Sequence, residues 1–308
     1  MAIMSAVQER IYLPLVTLTA VALFTGCPRN QVSALRASPD NAVAIRKALG
    51  EGKAGSAAAA VEIAPPPGWA TIRGNLTNGG AAPPRSALAI TKDATICAPG
   101  GKQVLSEELV VDSSGGIKDV AVYLTTAIPL DNPAFIHPDY DAAKEAEVVF
   151  DQKECLFLTH LFAARTSNRI VLKNSDPVGH NTKIDGKGSA SINPTISGNE
   201  STVYVPGKQS AEPFDVSCAV HPWMAAKMLI RDSPYYAVTT PDGSFEIKNV
   251  PAGVPLVFKV WQEKLKFITA VKRQSGGQTT DEKWPRSGYK VTLQPDEVHE
   301  MNIVIPAP

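Results

Sequence analysis

From Trp69 to the C-terminus, apolar residues recur at every second position in short runs closed by Gly, Pro, Asn or Asp. That rhythm leaves a chain little besides short β-strands joined by turns. It predicts strands over residues 70–74, 108–111, 120–124, 147–150, 169–172, 201–205, 227–230, 244–247 and 256–260. Pro241-Asp242-Gly243 marks a turn just before one of them. Only residues 38–50 and 140–145 carry a helical signal, so an all-β protein built of sandwiches is expected. With 308 residues there is room for two modest domains. The 30 basic side chains are matched by 30 acidic ones, which argues against a nucleic-acid binder and leaves no charge signature for any other partner.

The first 27 residues read as an export signal. Arg10 supplies the positive flank, and residues 11–26 form an apolar run that is too short and Pro-interrupted to span a bilayer. Leu23-Phe24-Thr25-Gly26-Cys27 resembles a bacterial lipobox, with Phe24 where an aliphatic residue is usual. Lipidation of Cys27 is the favoured processing, and cleavage after Ala20-Val21-Ala22 is the alternative. Either route exports the protein, to the periplasm or cell envelope. Residues 28–67 read as a linker: a short helix over 38–50, a small-residue stretch, then the stiff Pro65-Pro66-Pro67.

The chemistry lies between Asn174 and Met228. One segment reads Asn174-Ser175-Asp176-Pro177-Val178-Gly179-His180-Asn181, and another reads Cys218-Ala219-Val220-His221-Pro222-Trp223-Met224. Together His180, Cys218, His221 and Met224 offer two imidazoles, a thiolate and a thioether, the ligand chemistry of a mononuclear blue-copper site. Thiolate and thioether suit Cu(I), while imidazole serves both oxidation states. The five histidines contain no His-x-His pair, as a trinuclear copper cluster would need. The ligand loop has one cysteine where a dinuclear copper site needs two, and no Cys-x-x-Cys-His for haem or Gly-x-Ser-x-Gly elbow for a serine hydrolase is present. Zinc could use two His and a Cys, but gains nothing from the thioether.

The Cys-x-x-His-x-x-Met loop resembles that of amicyanin-like proteins, and residues 155–181 are similar to the first half of plastocyanin-like cupredoxins. The resemblance covers residues 146–232 and implies a Greek-key sandwich holding one type 1 copper, with a single-electron carrier function rather than catalysis. It implies that Asn181 ties the His180 segment to the cysteine loop, and that His221 sits nearest the surface with an exposed imidazole edge. A redox protein of the envelope would be the partner. The alternative is a sandwich that binds or stores copper without redox work, or is purely structural.

Two further cysteines, Cys97 and Cys155, are expected to pair in an oxidising compartment, closing a loop of nearly sixty residues and stabilising the fold by about 4 kcal/mol. A second metal site at Cys155 and His160 is the rival. Residues 237–261 resemble the carboxypeptidase regulatory-like, transthyretin-type sandwich. Pieces similar to its opening occur at 72–76 and 115–124, so residues 68–145 and 233–308 are expected to form one such sandwich with the cupredoxin-like unit inserted. Two or three sandwiches in series would be the simpler layout. Motifs and domain order are similar to bacterial proteins termed methylamine-utilisation-like.

Overall fold

The computed structural model describes residues 64–307, so the export signal, Cys27 and the helix expected over 38–50 lie outside the described residues. Within them the chain is almost wholly β, with a single four-residue α-helix at Ala94–Cys97 and three short 3-10 turns. Residues 140–145, where a helix was expected, form the end of one such turn and a run of turns. No helix among the described residues is long and apolar enough to cross a membrane.

Four sheets carry the fold. The first is built around Trp69–Asn78, which pairs with Ser244–Pro251 on one side and with Val298–Glu300 and Ile303–Ile305 on the other. The second centres on Pro255–Gln262, antiparallel to both Val120–Leu124 and Tyr289–Thr292. Between these sheets lies a core that includes Ile72, Leu76, Val122, Phe245, Phe258 and Ile303. Strands distant in sequence are thus direct neighbours: Phe258 faces Leu124 and Trp261 faces Ala121. In the expected turn, Gly243 has a φ of 80° and its carbonyl accepts from Leu76 N–H at 2.9 Å. A Cβ there would collide with the Leu76 carbonyl, so the position requires glycine on both counts.

The other two sheets come from the intervening chain. One orders Ser201–Tyr204, Arg169–Asn174, Glu147–Lys153 and Leu156–Phe157; the other orders Leu161–Arg165, Ala225–Arg231, Phe214–Ser217 and Lys183–Ile184. Alternate residues from both, among them Phe150, Leu172, Phe214, Met228 and Ile230, fill the core between them. The opposite faces of Val120–Leu124 and Ala225–Arg231 meet in a third cluster of Ala121, Tyr123, Leu161, Leu229 and Trp261. Every residue of Val120–Leu124 is therefore buried, which explains why it reads as an unbroken apolar run. Arg231 is buried at this joint. Its guanidinium donates to Ser210 O at 2.6 Å and Leu124 O at 2.9 Å and lies 5.1 Å from the Tyr123 ring centre.

The strand expected at 108–111 does not form. Asp112 turns the chain by accepting from the backbone N–H groups of Ser114 and Gly116, leaving only a single bridge from Val111 to Ile117. Alternation gave no sign of Leu161–Arg165, whose Leu-Phe-Ala-Ala run lacks it because both of its faces are largely covered.

Candidate metal centre

Asn174 ends its strand fully buried and organises the turn beyond it. Its amide N–H donates to the carbonyls of Val178, Ile196 and Ser197 at 2.8 to 3.1 Å, and its Oδ1 accepts from Asp176 N–H. Residues 175–179 are folded back by these bonds, delivering His180 into the short strand His180–Asn181, which pairs with Thr195–Ile196. The second segment is the loop between Phe214–Ser217 and Ala225–Arg231, strands whose ends pair Ser217 with Ala225. The loop closes on itself: Met224 N–H donates to His221 O at 2.9 Å, and Cys218 N–H to Met224 O at 3.2 Å. Asn181 joins the two segments. Its Oδ1 accepts from Ala219 N–H at 2.7 Å, Val220 N–H at 3.3 Å and the Cys218 thiol at 3.4 Å, while its Nδ2 donates to Asn193 at 2.6 Å.

His180, Cys218 and His221 converge, with one ligand atom from each within 4.8 Å of the others. The two Nδ1 atoms face each other at 2.8 Å. Each Nε2 is occupied by a carboxylate, Asp176 Oδ2 at 2.8 Å for His180 and Asp93 Oδ2 at 2.9 Å for His221. If both Nε2 atoms donate to carboxylates, both Nδ1 atoms present lone pairs, and two lone pairs at that distance repel unless a proton or a metal cation lies between them. The donor set therefore fits a cation with a preference for imidazole and thiolate, and copper meets that preference. Burial works to lower the His180 pKa, but hydrogen bonds to Cys218 and Asp176 outweigh it and raise it. For Cys218 burial works upward, yet the bond to His180 and nearby backbone N–H groups bring the thiol below its ordinary value, towards the thiolate a metal needs. Met224 is fully buried on the same loop, in the same cluster as Cys218.

His221 departs from the expectation of an exposed imidazole edge: its accessible surface is 0%. The segment around Asp93 crosses over it, seated on the core through Ile90, Ile96 and Cys97, and the Trp223 ring lies 5.1 Å away edge-on. Cys97 and Cys155 form a disulfide with Cα atoms 4.9 Å apart, so the rival metal site at Cys155 and His160 has no free thiolate. His160 instead bonds Glu263 at 2.5 Å. His137 packs on Trp69, and His299 bonds the Tyr289 hydroxyl. Sequence reasoning gave no role to Asp93 or Asp176. Asp176 stands four residues before His180 within the quoted segment, a spacing that could have drawn notice, whereas nothing local links Asp93 to a loop 128 residues away.

No family model matches this chain, and no curated protein matches it. Among solved structures, amicyanin from Paracoccus versutus is 17% identical over 36% of this chain and 97% of its own, with a TM-score of 0.24. A Cu(I) form of the P52G mutant of amicyanin is also 17% identical, covering 36% of this chain and 98% of that one at a TM-score of 0.25. The Cu-containing nitrite reductase from Thermus scotoductus SA-01 is 15% identical over 27% of this chain, with a TM-score of 0.25, and the likeness spans only 22% of that enzyme.

Proposed function

We propose that this chain is an exported copper protein that carries single electrons between redox proteins of the cell envelope, anchored by lipid at Cys27, and that it is a carrier rather than a catalyst. The observation that carries this reading is the pair of imidazole Nδ1 atoms converging with a thiol while both Nε2 atoms are committed elsewhere. His180, His221, Cys218 and Met224 would hold the metal. Copper, when bound, supplies a one-electron couple that need not change its ligands. The chain's own part is to exclude water, through burial of both imidazoles and the thiol, and to fix the ligand spacing, through Asn174, Asn181 and the closed loop. A rigid, dry site reorganises little when an electron arrives or leaves. Pairing of Val120–Leu124 with both Tyr236–Val238 and Pro255–Gln262 supports reading residues 146–232 as a unit inserted into a regulatory-like scaffold sandwich.

Metal analysis with a visible spectrum tests the assignment. An intense thiolate-to-copper band, reversible on reduction and absent from Cys218→Ser, is expected, and a colourless copper-loaded protein would overturn it. Full burial of His221 favours one second reading, a protein that holds copper without redox work. That reading predicts stoichiometric copper with no reversible Cu(I)/Cu(II) cycling.

A further inference from the structure

The imidazoles of the candidate centre are each held from behind by a carboxylate, and both carboxylates are anchored at a single disulfide. We propose that Asp93 and Asp176 are positioning residues for the two histidine ligands, and that the Cys97–Cys155 bond keeps Asp93 seated on His221. The metal-related part rests on the copper reading above; the seating itself does not.

Asp176 is buried and fully used. Its Oδ1 accepts from Glu154 N–H at 2.7 Å, and its Oδ2 accepts from Cys155 N–H at 2.8 Å as well as from His180. Glu154 and Cys155 have φ of 51° and 52°, a left-handed pair that turns both N–H groups towards this one carboxylate. Asp93 is placed differently. It stands at the head of Ala94–Cys97, where an aspartate side chain ordinarily caps the helix, yet it makes no capping bond. Its carboxylate reaches instead to His221 Nε2. Four residues on, Cys97 is bonded to Cys155, whose own N–H sits on Asp176. The two sulfurs lie within 4.8 Å of a His221 ring nitrogen, so the covalent tie sits against the ligand it serves.

This arrangement has two effects. It assigns the proton of each ring to Nε2, leaving Nδ1 free to bind, and it puts an anion behind each ligand, which makes the imidazole a stronger donor. A stronger donor favours the more highly charged Cu(II). The Asp93 side chain is about one-third exposed and lies on a segment outside the sheets, so without the disulfide water competes for its place.

The experiment begins with the copper-free full chain, labelled with nitrogen-15 at histidine. A ring Nε2–H resonance protected from solvent exchange is expected from each of His180 and His221, alongside that of buried His160 on Glu263, which serves as an internal reference. Asp93→Ala, and independently the Cys97→Ser/Cys155→Ser pair, should abolish protection at His221 and leave His180 protected; Asp176→Ala should do the reverse. Persistent His221 protection in Asp93→Ala overturns the seating, and persistence in the serine pair overturns the role of the disulfide. The second arm measures Cu(II) and Cu(I) affinities separately with the metal alone. Asp93→Ala should weaken Cu(II) by about tenfold or more, with Cu(I) changed far less, and Asp93→Glu should restore part of the loss. Equal losses for both ions would mark a merely structural residue. A wild-type chain that binds neither ion would refute the copper reading, while the resonances of the copper-free protein still decide the seating.

Discussion

Replacing Asn181 by alanine isolates the bonds that hold the cysteine loop against the His180 segment. The carboxamide oxygen serves two backbone N–H groups, of Ala219 at 2.7 Å and Val220 at 3.3 Å, and its nitrogen donates to Asn193 at 2.6 Å. An N–H left unpaired costs about 1 to 3 kcal/mol depending on whether water can replace the lost partner. Ala219 is exposed and Val220 half-buried, so the lower figure applies to each. Adding about 1 kcal/mol for the Asn193 bond gives a loss of roughly 3 kcal/mol in Asn181→Ala. Urea unfolding of the copper-free protein measures it, and Asn193→Ala, which removes only the last bond, should lose about 1 kcal/mol. Cys218, buried in the native protein, should also react faster with a thiol reagent in Asn181→Ala. An Asn181→Ala loss no larger than that of Asn193→Ala, with unchanged thiol reactivity, would refute the idea that this side chain fastens the loop.

Other perturbations probe the rest of the fold. Arg231→Ala strips partners from two carbonyls and packing from Tyr123, and should cost about 3 kcal/mol in urea unfolding, with Arg231→Met losing less because it keeps the stem. Cys97→Ser/Cys155→Ser frees a loop spanning 58 residues and should lower stability by about 4 kcal/mol; a loss under about 1 kcal/mol would contradict the loop-entropy account. Burial works to raise the Glu263 pKa, but hydrogen bonds to His160 and Lys227 bring it below its ordinary value of 4.5. Its stabilising share is therefore full above 4.5 and drains as pH falls through the lower folded value. Glu263→Gln should accordingly flatten the acid limb of a stability–pH curve, and an unchanged limb would remove this carboxylate from the account.

The strand class was legible because alternation is a local property: Arg169–Asn174 and Ser244–Pro251 each bury one face and show it in sequence. It failed at Leu161–Arg165, where cover on both faces erases the alternation and no β-branched run marks the strand as in Val120–Leu124, and at residues 108–111, where a turn intervenes. Two of the three converging side chains could be named because one loop carries Cys218 and His221 at fixed spacing, and His180 could be named from its flanking asparagines. Asp93 could not, since its meeting with His221 is created by a segment folding over the sandwich. The same segment buries His221, which is why an expectation of an exposed edge, drawn from a family resemblance, went astray.

The pairing of early and late strands bears on how such a chain is made. Asn75 N–H waits for Asn302, 227 residues further along, and the Thr125 hydroxyl for Val257, 132 residues on. The strands flanking His180 and the Cys218 loop are all present once residue 231 has emerged, so during synthesis they can pair while the strand Trp69–Asn78 still lacks its neighbours. Trp69–Asn78 then remains an open edge until the last residues arrive, and loss of only Ile303–Ile305 leaves part of it permanently unpaired. Truncated or stalled chains would thus carry a well-formed centre beside a sticky edge, and aggregation rather than loss of the metal ligands would be their first failure.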